Sequence, residues 1–119
     1  MKALVVDNEE LTRLVLARLL IRAGWMVQAA TGGKEALQAF EAGRFDVAII
    51  DVDLGEGPDG IAVARQLRSL EPELRVILVS GDILNETRVR EAGLENFLLK
   101  PFEIQALLSR VASPQARPA

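Results

Sequence analysis

Four charged or hydroxyl side chains follow short apolar runs, and their types fit the chemistry of a phosphoryl group. Asp7 and Asp51 carry carboxylates, Ser80 carries a hydroxyl and Lys100 carries an ammonium group. Neighbouring carboxylates repel each other and are costly to bury unless a cation neutralises them. A lysine and a hydroxyl nearby can hold the other oxygens of a phosphoryl group, and a carboxylate can form an acyl phosphate directly. This set of residues predicts a phosphoryl-transfer site with Asp51 as the nucleophile.

The composition excludes several other chemistries. The 119 residues include no cysteine and no histidine, and the net charge is −3. Disulfides, thiolate zinc sites, histidine-ligated metals and Ser-His-Asp triads are therefore impossible within this sequence. A hard, oxygen-ligated ion such as Mg²⁺ is then the natural partner of the acids. The negative charge is the wrong sign for a general nucleic-acid binder.

The elements that must position these side chains alternate between strand and helix patterns. Short apolar runs occur at residues 3–6, 26–30, 47–50, 76–79 and 97–99, and four of the five are continuous, which is typical of parallel strands covered on both faces. Helical spacing separates them, most weakly at residues 84–92, and Gly24 and Gly93 stand where helices should end. In the first helix the apolar residues that share one face are Leu11, Leu14, Val15 and Leu19.

This alternation predicts an α/β fold of the (βα)₅ type, with a doubly wound, five-stranded parallel sheet. The common strand order for such a sheet is the flavodoxin-like order 2-1-3-4-5, and ligands bind beyond the carboxyl ends of its strands. No apolar run approaches the roughly 18 residues of a membrane span, so we expect a soluble, cytoplasmic protein. The size fits one domain, at residues 1–112, with residues 113–119 as a disordered tail or linker stub.

Each of these residues also has an ordinary structural explanation. A single aspartate after a strand is usually a helix N-cap or a turn residue, and Ser80-Gly81 alone is a common turn. Glu9 and Glu10 could simply favour the start of a helix through its dipole. The joint occurrence of suitable side chains after strands 1, 3, 4 and 5 is what favours a functional site.

The chain resembles the receiver domain of bacterial two-component response regulators over residues 2–112. The segments that carry the resemblance are VVDNEE, DVAIIDVDLGEGPDGI, VILVSGD and NFLLKPF. The resemblance implies that Asp51 is the phosphoacceptor. It also implies that Asp7, Asn8, Asp51 and the main-chain carbonyl of Asp53 hold Mg²⁺, with Glu9 as an additional candidate ligand.

Further roles come from the same resemblance. Ser80 matches the hydroxyl residue that contacts the phosphoryl group, and Lys100 matches the family's lysine. Phe97 matches the aromatic residue that turns inward on activation together with Ser80. Pro101 is expected to follow a cis peptide bond, and Asp53 and Asp82 correspond to positions that flank the water attacking the aspartyl phosphate.

Two features depart from the family pattern. The second residue of the acidic pair is Asn8, so one negative charge is missing, and Glu9 could partly compensate for it. The loop after Asp51 is one residue longer than usual, and its proline is displaced to Pro58. Both departures bear on metal affinity and on the rate of phosphorylation rather than on the fold.

The resemblance implies a signalling domain rather than an enzyme, with slow Mg²⁺-dependent autophosphorylation and autodephosphorylation. The partners it implies are a sensor histidine kinase or a histidine phosphotransfer protein, and a downstream effector or output domain. It implies no direct nucleic-acid or membrane binding, and it allows a homodimer through the face of helix 4, strand 5 and helix 5.

Two alternatives remain open at this point. A pseudo-receiver that binds partners without phosphorylation is favoured by Asn8 but opposed by Asp51, Ser80 and Lys100. A haloacid-dehalogenase-type phosphatase is suggested only by the pair Asp51 and Asp53, which follows the third strand instead of the first.

Overall fold

Five strands alternate with five helices along residues 1–112, the part of the chain that the computed structural model describes. The predicted tail at residues 113–119 lies outside the described residues. The strands are β1 Lys2–Val6, β2 Met26–Ala30, β3 Val47–Asp51, β4 Arg75–Ser80 and β5 Phe97–Leu99. The helices are α1 Glu10–Arg22, α2 Gly33–Ala39, α3 Gly60–Leu70, α4 Asn85–Glu91 and α5 Ile104–Ala112.

The strands form one parallel sheet in the order β2-β1-β3-β4-β5, which confirms the predicted fold and strand order. The register sets the carboxyl ends of the inner strands side by side. Val6 lies opposite Ile50, and Asp51 lies opposite Val79. Residues that follow these strands therefore meet at one edge of the sheet.

Side chains of the sheet alternate between two apolar layers, which explains the continuous apolar runs. Leu4 and Val6 point into a layer completed by α2, α3 and α4, whereas Ala3 and Val5 point into a layer completed by α1 and α5. Both faces of β1 are thus buried. Because both faces are apolar, the polar groups of this region are confined to the ends of the strands.

The apolar face predicted for α1 differs from the face that the structure buries. Leu16 and Leu20 are the buried residues of the helix, whereas Leu11, Leu14 and Val15 are exposed. The helix carries apolar residues on more than one side, and its spacing therefore does not decide which side meets the sheet. The result is an apolar surface on α1 that the described chain leaves open.

The ends of two helices follow the predicted glycine signals. Gly24 and Gly93 each have positive φ one residue beyond the C-caps of α1 and α4, a conformation that glycine adopts without strain. The weakly patterned fourth helix is present but short, with seven residues. None of the helices described here is long and apolar enough to cross a membrane.

Candidate functional site

The ammonium group of Lys100 joins the ends of β1 and β3. Its Nζ lies 2.5 Å from Asp51 Oδ2 and 3.1 Å from Asp7 Oδ2. The two carboxylates are almost fully buried, with 1% of Asp7 and 7% of Asp51 exposed. A buried pair of like charges is stable only with such a compensating cation. Three residues predicted for the site are therefore brought into direct contact.

Asp51 is held at both carboxylate oxygens. Oδ1 accepts a hydrogen bond of 2.8 Å from the backbone amide of Asp53, and Oδ2 accepts from Lys100. Burial raises the pKa of Asp51 above its ordinary value and outweighs the lowering effects of Lys100 and of the Asp53 amide, while the charge of Asp7 adds to the increase. The fold thus holds this carboxylate in place at a cost to its charged form.

Lys100 keeps its proton firmly in this position. Burial alone lowers the pKa of the ammonium group, but the hydrogen bonds and charges of Asp51 and Asp7 outweigh burial and raise the pKa. The following Lys100–Pro101 peptide bond is cis, as expected. The backbone amide of Lys100 donates to the carbonyl of Ser80, which ties the ends of β4 and β5 together.

The three neighbouring residues of the predicted metal site differ in their surroundings. Asp7 Oδ1 accepts from the backbone amide of Glu9, which fixes the turn between β1 and α1. Asn8 is exposed, and its Nδ2 lies 3.4 Å from where a Cβ on Gly55 would stand, so the long loop after β3 passes beside it. The carboxylate of Glu9 accepts from the Thr12 hydroxyl in the first turn of α1.

The donor set at this edge of the sheet suits Mg²⁺. In residues 1–112 no group of three or more acidic side chains is close enough to hold a metal ion. Mg²⁺, however, is commonly bound by one or two carboxylates together with waters and phosphate oxygens. Asp7 and Asp51 contact the same ammonium group, and Asn8, the residue after Asp7, carries an amide oxygen. All of these donors are oxygens, which fits a hard cation.

The two predicted switch residues are both buried, and Ser80 borders the site. Ser80 is fully buried at the end of β4, and Phe97 is packed in the layer formed with α2, α3 and α4. Ser80 Oγ donates toward Asp53 Oδ2 at 3.4 Å and accepts from the backbone amide of Asp82 at 3.0 Å. Phe97 is thus already inward in this structure.

Asp53 and Asp82, the two acids predicted to flank the attacking water, are not equivalent. The carboxylate of Asp53 faces the Ser80 hydroxyl. In contrast, Asp82 Oδ1 accepts a 2.9 Å hydrogen bond from the backbone amide of Leu84, so this carboxylate is used in the turn that leads to α4.

Three polar residues in contact with this region were not found in the sequence. Asn85, Arg88 and Asp59 form a continuous set of side-chain hydrogen bonds that begins at Ser80. The only sequence signal for Asn85 is a polar residue at the start of a weak helical pattern, which is equally typical of a cap or turn. Its burial depends on the packing of α4 against the sheet, which local patterns do not show.

The fold and the site together define a class of protein. A family model described as the response regulator receiver domain matches residues 3–112. The chain belongs to this family, and the phosphatase alternative has no support from it.

Individual relatives are moderately similar. The response regulator MprA of Mycolicibacterium vanbaalenii is 35% identical over 112 residues, which are 92% of this chain and 48% of that protein. The protein of the same name from Mycobacterium avium is 35% identical over 113 residues, 93% of this chain and 49% of that protein. The chain therefore spans about half the length of the curated relatives it matches.

Solved structures of response regulators share the fold. The response regulator TrrA of Thermotoga maritima, solved in complex with Mg²⁺-BeF, has a TM-score of 0.84 and 27% identity, and the match covers 93% of this chain and 96% of that chain. A response regulator of Burkholderia pseudomallei was solved with a phosphorylated aspartic acid, a calcium ion and citrate. It has a TM-score of 0.80 and 29% identity, over 92% of this chain and 65% of that one.

Proposed function

We propose that this receiver domain takes a phosphoryl group onto Asp51 from a phosphohistidine of a sensor kinase or a histidine phosphotransfer protein. The observation that carries the proposal is the contact of Lys100 with both buried carboxylates. A lysine held there can move from a carboxylate oxygen to a phosphoryl oxygen as Asp51 loses its charge. Such a relay operates in the cytoplasm, which is the location we propose.

The transfer forms one bond and breaks another. A carboxylate oxygen of Asp51 attacks phosphorus, the phosphorus–nitrogen bond of the donor breaks, and the electron pair returns to the imidazole, which takes up a proton. Lys100 stabilises the charge on the phosphoryl oxygens, and the Asp53 amide fixes the direction of the attacking carboxylate. In hydrolysis, water attacks phosphorus, inorganic phosphate leaves and the free carboxylate of Asp51 is restored.

Mg²⁺ is the cofactor that this site suits best. Asp7, Asp51, the amide oxygen of Asn8 and the main-chain carbonyl of Asp53 would hold it, with Glu9 a weaker candidate because its carboxylate bonds Thr12. When bound, the ion supplies positive charge to the phosphoryl oxygens. The T. maritima relative was solved with Mg²⁺-BeF, which supports the same requirement here.

The phosphodonor would dock on the open apolar surface beside Lys100. A groove of about 470 Å³ runs between α1 and the start of α5, and it reaches Lys100 and Pro101. Its apolar walls come from Leu11, Val15, Leu16, Leu19, Phe102 and Ile104. A donor must bring its phosphohistidine to Asp51, and a helix with an apolar face seated in this groove would do so.

Phosphorylation would then change a surface that an effector or output domain reads. Ser80 at the end of β4 bonds Asn85 of α4, and Phe97 in β5 packs in the same apolar layer as Val89 of α4. This face of α4, β5 and α5 is also the surface that we propose for a homodimer. A phosphoryl group would shift the equilibrium between two arrangements of these elements.

A phosphorylation-independent interaction domain is the second candidate, and the exposed Asn8 favours it because the site lacks one carboxylate. Titration with beryllofluoride and Mg²⁺ separates the two functions. Saturable, Mg²⁺-dependent binding that disappears in Asp51→Asn supports the phosphoacceptor function. Absence of binding in the unmodified chain would leave the interaction domain as the better description.

A further inference from the structure

The hydroxyl of Ser80 is fully occupied by hydrogen bonds in this structure. Oγ accepts from Asn85 Nδ2 at 2.9 Å and from the Asp82 amide at 3.0 Å, and it donates toward Asp53 Oδ2 at 3.4 Å. A hydroxyl has one donor and two acceptor positions. Ser80 must therefore redirect its proton and give up at least the contact with Asp53 before it can donate to a phosphoryl group on Asp51.

Asn85 is the side chain that connects this hydroxyl to the rest of α4. It is the first residue of the helix, and 5% of it is exposed. Its amide nitrogen donates to Ser80 and lies 3.4 Å from Asp53 Oδ2, and its amide oxygen accepts a 2.9 Å hydrogen bond from Arg88. Both ends of the buried amide are satisfied, which fixes its orientation.

Arg88 extends the connection to another helix. Its second guanidinium nitrogen lies 2.8 Å from Asp59 Oδ2, and Asp59 Oδ1 caps the start of α3 at the amide of Ala62. Burial alone raises the pKa of Asp59, but the Ala62 amide and the Arg88 charge outweigh it and lower the pKa. Asp59 thus remains charged and bound to Arg88 at neutral pH.

The start of α3, which Asp59 caps, lies against the main chain of the phosphoacceptor. The amide of Gly60 donates to the carbonyl of Val52, and a Cβ at Gly60 would stand 2.0 Å from the carbonyl oxygen of Asp51. No side chain fits there, so α3 begins directly against the main chain of β3. The hydrogen bonds therefore lead from Ser80 through Asn85 and Arg88 to a helix end packed on Asp51.

We propose that Asn85 is a positioning residue, which holds the Ser80 hydroxyl in the orientation that this structure shows and, through Arg88, holds α4 to the start of α3. The proposal rests on the proposed function, because it concerns the response of Ser80 to a phosphoryl group on Asp51. When the Ser80 side chain rotates toward that group, its oxygen moves away from the Asn85 amide, and this bond is lost together with the contact with Asp53. The contact between α4 and α3 then weakens, and α4 becomes free to shift.

Beryllofluoride with Mg²⁺, as an analogue of the phosphoryl group, tests this assignment by its affinity for the full chain. On this assignment Asn85→Ala removes a hydrogen bond that must break before Ser80 reaches the phosphoryl group, so binding should tighten by roughly two- to tenfold. Arg88→Ala should tighten it less, since the Asn85–Ser80 bond remains. Arg90→Ala is the matched control, because Arg90 lies on the same helix and pairs only with the half-exposed Glu86 among the described residues.

A second comparison separates positioning from a general effect on stability. If Asn85 acts through the hydroxyl, Asn85→Ala should change the affinity in the native background but not in a Ser80→Ala background. Asn85→Leu, which keeps the volume without the hydrogen bonds, serves the same purpose if the alanine variant does not fold. Hydrogen exchange of the unliganded proteins should be faster in α4 for Asn85→Ala and Arg88→Ala than for Arg90→Ala.

The outcomes distinguish this inference from the function on which it rests. Unchanged or weaker binding in Asn85→Ala, or an equal effect with and without Ser80, would overturn the role of Asn85 while leaving phosphorylation of Asp51 intact. Absence of beryllofluoride binding by the unmodified chain would overturn both.

Discussion

Lys100 Nζ lies 2.5 Å from Asp51 Oδ2, although the two residues are 49 positions apart in the chain. The same nitrogen contacts Asp7, so one positive charge compensates two buried negative charges. This arrangement stabilises the edge of the sheet before phosphorylation. It also supplies a cation that can move from the carboxylate to a phosphoryl oxygen when Asp51 is modified.

Replacement of Lys100 by methionine should destabilise the protein at neutral pH by about 2 kcal/mol, because it leaves two buried carboxylates without their partner and the lysine is only partly exposed. The folded-state pKa of Lys100 is raised above 10.5. Its stabilising contribution is therefore fully present below that value and is lost as the pH rises through the higher folded-state pKa. Urea unfolding should show the native protein and Lys100→Met converging at strongly alkaline pH. A difference that persists there would contradict the charge explanation.

Replacement of Asp51 by asparagine should have the opposite effect on stability. The folded-state pKa of Asp51 is raised, mainly by burial, so its ionised form costs stability at neutral pH. Asp51→Asn should therefore increase the free energy of unfolding at neutral pH, because it removes the cost of burying an ionised carboxylate. The gain should shrink as the pH falls through the folded-state pKa and vanish below the ordinary value of 3.8. Destabilisation at neutral pH would mean that the Lys100 contact outweighs the cost of burial.

Replacement of Asn8 by aspartate restores a charge at the exposed position beside Asp7. Mg²⁺ should bind roughly tenfold to a hundredfold more tightly to Asn8→Asp, the scale for one supporting group of a metal site. The metal-free variant should unfold at a lower urea concentration, since the new carboxylate repels Asp7 and Asp51. Calorimetric titration with Mg²⁺ checks the first effect. Equal affinities would show that Glu9 or the backbone already fulfils this role.

Asp53 and Asp82 should differ in their effect on the lifetime of the phosphorylated protein. Asp53 faces Ser80, whereas the carboxylate of Asp82 is held by the Leu84 amide. Asp53→Ala should therefore slow hydrolysis by roughly threefold to tenfold, a fraction of the effect of a full general base. Asp82→Ala, which removes the side chain that accepts from the Leu84 amide, should change the rate less than Asp53→Ala. Single-turnover decay of the phosphoprotein measures both, and a slower rate only in Asp82→Ala would reverse the assignment.

The sequence predicted the sheet because continuous apolar runs can be covered only by helices on both sides. It also predicted that Asp7, Asp51 and Lys100 meet, since the ends of neighbouring parallel strands share one edge. The prediction of the buried face of the first helix was wrong, because Leu11 and Val15 are as apolar as the buried Leu16. Apolar character alone does not indicate which of two apolar faces packs on the sheet.

The contact of Asn85 with Ser80 could not be predicted from the sequence for a different reason. The type and position of Asn85 fit an ordinary helix start, and its hydrogen bond to Ser80 depends on the path of the turn at residues 81–84. That turn is set by the Ser80 and Asp82 side chains, which accept from the backbone amides of Asp82 and Leu84. Such mutual dependence of side chains and loop geometry has no periodic signal.

Phosphorylation of Asp51 is tested most directly by incubating the chain with Mg²⁺ and a small-molecule phosphodonor and measuring its intact mass, with fragmentation to locate the modified residue. The account predicts one added phosphoryl group, carried by Asp51, dependent on Mg²⁺ and absent in Asp51→Asn. Modification at another residue, or equal labelling of Asp51→Asn, would contradict it.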